Sequence, residues 1–166
     1  MNFGNSSTKK LVLVLSLPVI LFSIVFLRDR VALNSEIIIA ASNNNCFVDQ
    51  ALPFAKEGNT WSGTVGKKIQ VQGWYVSESG ESPKTVYATL ALKSDPSINF
   101  LLKGMSNQSR NDVGEYFGNA KFSLSGFDLK SDSEITTPGQ YQLTILGKIG
   151  EVTISCLGRE DFIIKN

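Results

Sequence analysis

The stretch 140–145, Gln-Tyr-Gln-Leu-Thr-Ile, alternates polar and apolar residues with a period of two. Successive side chains of a β-strand point to opposite faces of the sheet, so this pattern predicts a strand with one buried face. Similar alternation or short apolar runs occur at 69–75, 86–92, 98–102, 122–129, 152–156 and 162–164. Within 122–129 the apolar residues change phase at Ser125-Gly126, which predicts a β-bulge.

Turn-forming residues separate these segments. A polar loop is expected at 77–84, a turn at 137–139 and a tight hairpin at 147–150, and each contains glycine. One short helix is expected at 112–117, where Asp112 and Glu115 have the spacing of a capping box. About seven or eight short strands with so little helix indicate an all-β fold, an antiparallel sandwich or barrel.

Composition excludes several kinds of chemistry. The chain has no histidine, which excludes Ser–His and Cys–His catalysis and histidine-ligated zinc. Removing the first 42 residues takes away four basic and two acidic residues and leaves 12 basic and 13 acidic ones, a net charge of −1. Nucleic-acid binding is therefore disfavoured. No carboxylate pair stands out as a hydrolase site, so we predict no catalytic residue, no metal and no cofactor.

The N-terminal part contains an uncharged apolar run, Leu11–Leu27, that follows Lys9 and Lys10. A helix of these 17 residues is about 26 Å long, close to the ~30 Å of bilayer hydrocarbon. A cleaved signal peptide is the alternative, but Arg28-Asp29-Arg30 follows at once, where a cleavage site needs small residues. The run is therefore predicted to be a retained transmembrane signal-anchor that contacts membrane lipid.

These features divide the chain into four parts. Residues 1–10 are expected to form a cytoplasmic tail, 11–27 the transmembrane signal-anchor, 28–42 a linker and 43–166 an extracytoplasmic β-sandwich domain. The last part is long enough to bury a hydrophobic core without a stabilising metal. The chain is thus predicted to be a single-pass protein of the inner (cytoplasmic) membrane whose C-terminal domain is periplasmic or extracellular.

The chain has two cysteines, Cys46 and Cys156, one near each end of the predicted domain. Cys156 is in phase with Val152 and Ile154, so a strand there places all three side chains on one face. Two sulfurs that face one core predict a disulfide, which forms in oxidising compartments outside the cytoplasm. The alternative is a pair of buried free thiols in a cytosolic protein.

An ordered set of residues runs along the domain: Gly73-Trp74, Arg110-Asn111-Asp112-Val113, Phe117, Ser125-Gly126-Phe127 and Pro138-Gly139-Gln140-Tyr141-Gln142-Leu143. Over roughly residues 61–147 it resembles the small immunoglobulin-like β-domains attached to some bacterial membrane proteins of envelope polysaccharide and glycosyl-transfer pathways. That family often has proline between the arginine and the aspartate, where this chain has Asn111. The resemblance implies an antiparallel immunoglobulin-like β-sandwich, a periplasmic accessory role and contact with glycan. It implies no catalytic residue.

Trp74 is the first candidate for glycan binding. It shares a predicted strand face with Gln70 and Gln72, and Tyr87 lies on the next predicted strand. If the two strands are neighbours, an aromatic pair surrounded by amides would stack a sugar ring, because aromatic faces offer apolar contact and amides bind hydroxyls. The alternative is that Trp74 packs in the core, as tryptophans of this strand commonly do in sandwiches.

Arg110 and Asp112 are candidates for a structural or a partner-binding role. A structural role is favoured, with Arg110 in an ion pair or bound to backbone carbonyls and Asp112 at the cap of the short helix. Binding of an anionic group or of a partner is the alternative.

Three functions remain open from the sequence. The first is a membrane-anchored extracytoplasmic accessory protein of the cell envelope. It would contact an envelope membrane protein or surface glycan and be associated with polysaccharide or glycosylation machinery. The second is a stand-alone carbohydrate-binding module. The third is an envelope hydrolase, which is disfavoured because no carboxylate pair can be assigned.

Overall fold

The computed structural model describes residues 38–40 and 45–166 of the chain. Over these residues ten strands join in one sheet: β1 (Ile38–Ala40), β2 (Asn45–Leu52), β3 (Ala55–Glu57), β4 (Thr60–Thr64), β5 (Gln70–Val76), β6 (Thr85–Leu92), β7 (Asp95–Gln108), β8 (Gly126–Ser131), β9 (Gly139–Ile149) and β10 (Val152–Lys165). A short helix, α1 (Asn111–Phe117), and a 3₁₀ helix (Ala120–Leu124) lie between β7 and β8. The predicted all-β class is confirmed.

The strands follow one hydrogen-bonded path, in the order β2-β5-β8-β7-β6-β9-β10-β4-β3, and β1 pairs separately with β10. The expected antiparallel pairing holds for most neighbours but is wrong for two pairs, because β10 pairs in parallel with both β1 and β4. The length of β10 lets it pair with both strands along one edge. It offers one edge to β9, whereas the other edge pairs with β1 near Thr153 and with β4 near Phe162.

The two ends of this path lie side by side. Cys46 on β2 forms a disulfide with Cys156 on β10, with 6.3 Å between their Cα atoms. Lys56 on β3 places its ammonium group 4.9 Å from the centre of the Phe47 ring on β2. The sheet is therefore nearly closed on itself, and the predicted disulfide is confirmed. The two-sheet immunoglobulin-like sandwich is not confirmed.

One main core fills the inside of the sheet. Inward-facing residues from most strands are fully buried, as the alternation predicts, and they include Val71, Leu90, Leu143 and Cys156. A second, smaller cluster lies on the outer face of β5 and consists of Val76, Val113 and Phe122, with Trp74 and Phe117 packed against it. Because α1 and the 3₁₀ helix cover this part of the outer face, β5 is apolar on both faces near its end.

The predicted strand and bulge at 122–126 are wrong. Residues 120–124 form the 3₁₀ helix, in which Phe122 enters the second cluster, and β8 begins only at Gly126. Asn119 caps this helix, since its side-chain oxygen accepts a hydrogen bond from the Lys121 amide. The change of phase at Ser125 therefore marks a boundary between two elements.

The loop at 77–84 and the turn before β9 lie where they were predicted, and the hairpin between β9 and β10 turns at Gly150-Glu151. The short helix is confirmed within one residue. Four strands were not predicted from sequence patterns: β1, β2, β3 and β4. Strands β3 and β4 form a hairpin across Gly58-Asn59.

The predicted tail 1–10 and signal-anchor 11–27 lie outside the described residues. Within the described residues, none of the helices is long and apolar enough to cross a membrane. Strand β1 falls inside the predicted linker 28–42, so the sheet includes residues that precede the predicted domain start at Asn43.

Candidate functional site

Two clefts open on the outer face of the sheet, beside β5. The aromatic cleft has a volume of about 560 Å³ and is defined by Phe47, Trp74, Tyr116, Phe117 and Arg159. The polar cleft has a volume of about 570 Å³ and is defined by Asp49, Gln72, Gln108, Arg110 and Asp128. Both volumes lie in the range of small-molecule sites, about 300–1,000 Å³.

Strand pairing builds the floor of the aromatic cleft. Phe47 on β2 and Trp74 on β5 are cross-strand partners, and both point to the outer face. Their rings are 6.5 Å apart and inclined by 27°, an offset stack. Gly73 allows this close approach of β2 and β5, because a Cβ atom at that position would overlap the backbone carbonyl oxygen of Phe47. The floor is therefore held by backbone and by ring contacts.

Helix α1 supplies the wall. Phe117 meets Trp74 edge to face at 5.7 Å, and Tyr116 meets Phe117 edge to face at 4.9 Å. The helix ends at Gly118, whose left-handed backbone lets its amide bond to the last carbonyls. Tyr116 is 83% exposed, the largest fraction among the exposed large apolar residues of the described chain. Its ring therefore lines the cleft and does not pack into the core.

A bulge in β10 places Arg159 at the cleft. Leu157 pairs with Thr144 and Asp161 with Gln142, so three residues of β10, 158–160, face the single residue Leu143 of β9. The Gln142 amide donates a hydrogen bond to the Gly158 carbonyl at 2.8 Å and fixes the bulge. The segment projects Arg159 outward, as bulges at binding sites often do.

Neighbouring side chains do not neutralise Arg159 within the described residues. No ion pair or hydrogen bond joins its guanidinium to another described side chain. Glu160, the next residue, points inward, is 3% exposed and lies 3.6 Å from the Lys56 ammonium. The cleft thus combines aromatic rings with one exposed cation.

Arg110 of the polar cleft binds two carboxylates. Arg110 donates to both oxygens of Asp112, at 2.9 and 2.7 Å, and to Asp49. The pKa of Arg110 is raised mainly by its hydrogen bond to Asp112 and further by Asp49. In return, the guanidinium holds the pKa of Asp112 below its usual range. Asp49 reaches Arg110 because it occupies a one-residue bulge in β2. This arrangement is a structural ion-pair network between β2 and α1.

The predicted helix cap at Asp112 is wrong. Arg110 occupies the N-cap position of α1, and within this described helix no side chain caps the first turn. The carboxylate of Asp112 is bound to the Arg110 guanidinium instead. Asp112 lies two residues past that position, inside the first turn of α1, so it is not the N-cap residue.

The structure separates the predicted glycan-binding residues. Trp74 is half-buried at the floor of the aromatic cleft, on the outer face and outside the main core. Gln70 and Gln72 both donate to the carboxylate of Asp128, at 2.7 and 2.8 Å. Tyr87 lies on β6, and β8 and β7 stand between β6 and β5. The aromatic pair of Trp74 and Tyr87 therefore does not form.

Sequence reasoning missed four residues of the aromatic cleft: Phe47, Tyr116, Phe117 as a ring contact, and Arg159. One sequence signal for Tyr116 was available: on the predicted short helix, after Glu115, it stands next to a second aromatic residue. The described residues also contain no group of three or more His, Cys, Asp or Glu placed to hold a metal ion. Comparison with known proteins finds no matching family model and no matching curated protein.

Proposed function

We propose that this protein is a membrane-anchored, extracytoplasmic accessory protein of the cell envelope that binds surface glycan through the aromatic cleft. The observation that carries the proposal is the exposed ring of Tyr116 beside Trp74 and Phe47. Aromatic faces stack on the apolar faces of sugar rings, and a cleft of about 560 Å³ accommodates one or two of them.

Two features support the proposed location. The apolar run Leu11–Leu27 has the length and flanking charges of a signal-anchor. The structure contains the disulfide Cys46–Cys156, and disulfides commonly form in oxidising compartments. We therefore place the C-terminal domain in the periplasm or outside the cell, on a single-pass protein of the inner membrane.

The sequence resemblance to domains of envelope polysaccharide and glycosyl-transfer proteins supports the same role. An immunoglobulin-like strand arrangement and an association with glycosylation machinery belong to this proposal. A stand-alone carbohydrate-binding module would use the same cleft without a membrane partner. Co-purification of the full-length protein from its native membrane distinguishes the two, because only the accessory protein brings a polysaccharide-assembly protein with it.

The direct test is glycan binding by the full chain in nanodiscs of zwitterionic lipid. Oligosaccharides released from the native cell surface are titrated against wild type, Tyr116→Ala and Met105→Ala. Met105 is a matched control because it is a large exposed residue outside both clefts. Wild type and Met105→Ala are expected to bind equally.

Tyr116→Ala is expected to weaken glycan binding roughly tenfold, a loss of about 1.4 kcal/mol. Its melting temperature should stay unchanged, because an exposed side chain contributes little to folding. Equal binding by Tyr116→Ala and wild type would exclude the aromatic cleft as the glycan site.

A further inference from the structure

We infer that the glycan bound in the aromatic cleft is anionic and that Arg159 binds its carboxylate. The inference rests on the proposed glycan binding and names the class of sugar. Its basis is that Arg159 is an exposed guanidinium at the edge of a cleft with aromatic walls. A uronic acid offers an apolar ring face and one carboxylate in a single sugar, which matches these two kinds of surface.

The carboxylates around Arg159 already have partners. Asp112, which also lines the cleft, accepts two hydrogen bonds from the Arg110 guanidinium. Asp161, two residues along β10, accepts hydrogen bonds from Lys93 at 2.6 Å and from Gln140 at 3.0 Å. Each acidic group is thus held by another residue.

Glu160 has its own partner as well, since its inward side chain lies near the Lys56 ammonium. Arg159 is therefore the cation of the cleft that the protein does not itself neutralise within the described residues. Guanidinium groups bind carboxylates with two parallel hydrogen bonds, so a ligand carboxylate would fill this position well.

The bulge in β10 supports a role in binding. A regular ladder would place one residue opposite Leu143, whereas β10 places three there, and the Gln142 side chain holds the extra backbone. The main core gains no apolar side chain from this insertion, because it contributes Gly158, Arg159 and Glu160. What the insertion does supply is an outward arginine beside the aromatic rings.

The surroundings favour a sugar over an anionic lipid headgroup. Lipid surfaces are bound by clusters of four or more basic residues, whereas the aromatic cleft is lined by one basic residue. Residues 43–166 also carry a net charge of −1, which gives no general attraction to an anionic membrane. We therefore commit to an acidic glycan.

The experiment compares one glycan in two forms. Acidic oligosaccharides from the native cell surface are divided, and half are carboxyl-reduced, which removes the charge and leaves the linkages intact. Both forms are titrated against the full chain in zwitterionic nanodiscs, as wild type, Arg159→Ala, Arg159→Lys and Lys103→Ala. Lys103 is an exposed cation outside both clefts and serves as the charge-matched control.

Wild type and Lys103→Ala are expected to bind the acidic form at least tenfold more tightly than the reduced form, with a preference that falls as salt increases. Arg159→Ala should lose that preference and keep the wild-type affinity for the reduced form. Arg159→Lys should recover part of it, because it keeps the charge without the planar pair of donors.

The other outcomes separate the inference from the proposed function. If wild type binds the two forms equally and Tyr116→Ala loses this binding, the ligand need not be acidic. That result would overturn the inference and leave the proposed glycan binding in place. A preference that Arg159→Ala retains would overturn the role of Arg159. Failure to bind either form would overturn both proposals. If Arg159→Ala changes only the binding of phosphatidylglycerol vesicles, measured against phosphatidylcholine vesicles, the ligand is a lipid and the inference is wrong.

Discussion

The ammonium group of Lys56 lies 4.9 Å from the centre of the Phe47 ring, and this contact joins the first and last strands of the sheet path. The same group lies 4.8 Å from the centre of the Trp61 ring and 3.6 Å from a carboxylate oxygen of Glu160. One side chain on β3 thus contacts β2, β4 and β10. The cleft residue Phe47 is therefore coupled to the closure of the sheet.

Replacing Lys56 with Met is expected to lower the free energy of unfolding by roughly 1–3 kcal/mol, because Glu160 stays buried without its counter-charge. Urea unfolding of the single variants and of Lys56→Met/Glu160→Gln forms a double-mutant cycle. The double variant should be more stable than Lys56→Met alone. Simple additivity of the two losses would show that the pair is not coupled.

Removing the disulfide is expected to destabilise the domain strongly. The bond between Cys46 and Cys156 closes a loop of 110 residues, for which the chain-entropy treatment gives about 4–5 kcal/mol. Urea unfolding of Cys46→Ser/Cys156→Ser, and of wild type with reductant, should show the same loss. Alkylation of the unreduced, unfolded wild type should add no mass, and two modified cysteines would contradict the disulfide.

Replacing Arg110 with Ala is expected to lower the free energy of unfolding by about 1 kcal/mol, since the link between β2 and α1 is lost. Arg110→Lys should recover only part, because an ammonium cannot bind Asp112 through two parallel donors. The thermal midpoint reports both effects. Equal midpoints for wild type and Arg110→Ala would refute a stabilising network.

The stabilisation from the same ion-pair network is expected to depend on pH in the acid range. Arg110 lowers the pKa of Asp112 in the folded state, so the stabilisation is complete above the ordinary aspartate pKa of about 3.9 and is lost as pH falls through the lower folded value. The stability difference between wild type and Arg110→Ala should therefore shrink below about pH 4. Urea midpoints measured from pH 7 down to about pH 2 test this.

The buried hydroxyl of Tyr75 is expected to make folding stability depend on pH in the alkaline range. Burial, and then the negative charge of Glu78, raise the pKa of its hydroxyl above the ordinary value of about 10. The unfolded chain therefore loses this proton first, and stability that is complete below about pH 10 declines as pH rises above it. Tyr75→Phe should show a shallower decline of the urea midpoint between about pH 8 and about pH 11.

Tyr116→Phe, which removes an exposed hydroxyl, is the control for this titration. It should follow the wild-type curve at every pH. If Tyr75→Phe also follows the wild-type curve, ionisation of Tyr75 is not linked to unfolding.

Much of the strand pattern could be predicted from sequence because alternation records burial directly. The stretches around Leu90 and Leu143 alternate without interruption, and both strands have one face in the main core. The strand predicted at residues 122–124 was wrong because Phe122 packs into a second cluster on the outer face. A buried residue there was therefore not evidence for a strand. Strand β3 was missed because it is exposed throughout and gives no pattern, and β4 was missed because Trp61 is its one buried residue.

The candidate site was predicted less well, for a related reason. Trp74 was identified because a large aromatic residue on a strand is conspicuous, but its neighbours depend on strand order, which alternation does not encode. Arg159 depends on register: its place beside the rings arises from a bulge that can be recognised only once β9 and β10 are paired. Disulfide pairing was predictable because the chain has only two cysteines.

The bulge in β10 has a consequence for how this protein can vary. It adds an even number of residues, so Cys156 before it and Phe162 after it both still face the core. An odd insertion would turn every later side chain of the strand to the opposite face. Changes in this segment can therefore alter the surface that we propose to face the ligand, while the inward sequence on either side stays the same. The segment is thus the natural place for related domains to diverge and for a designer to graft a new surface.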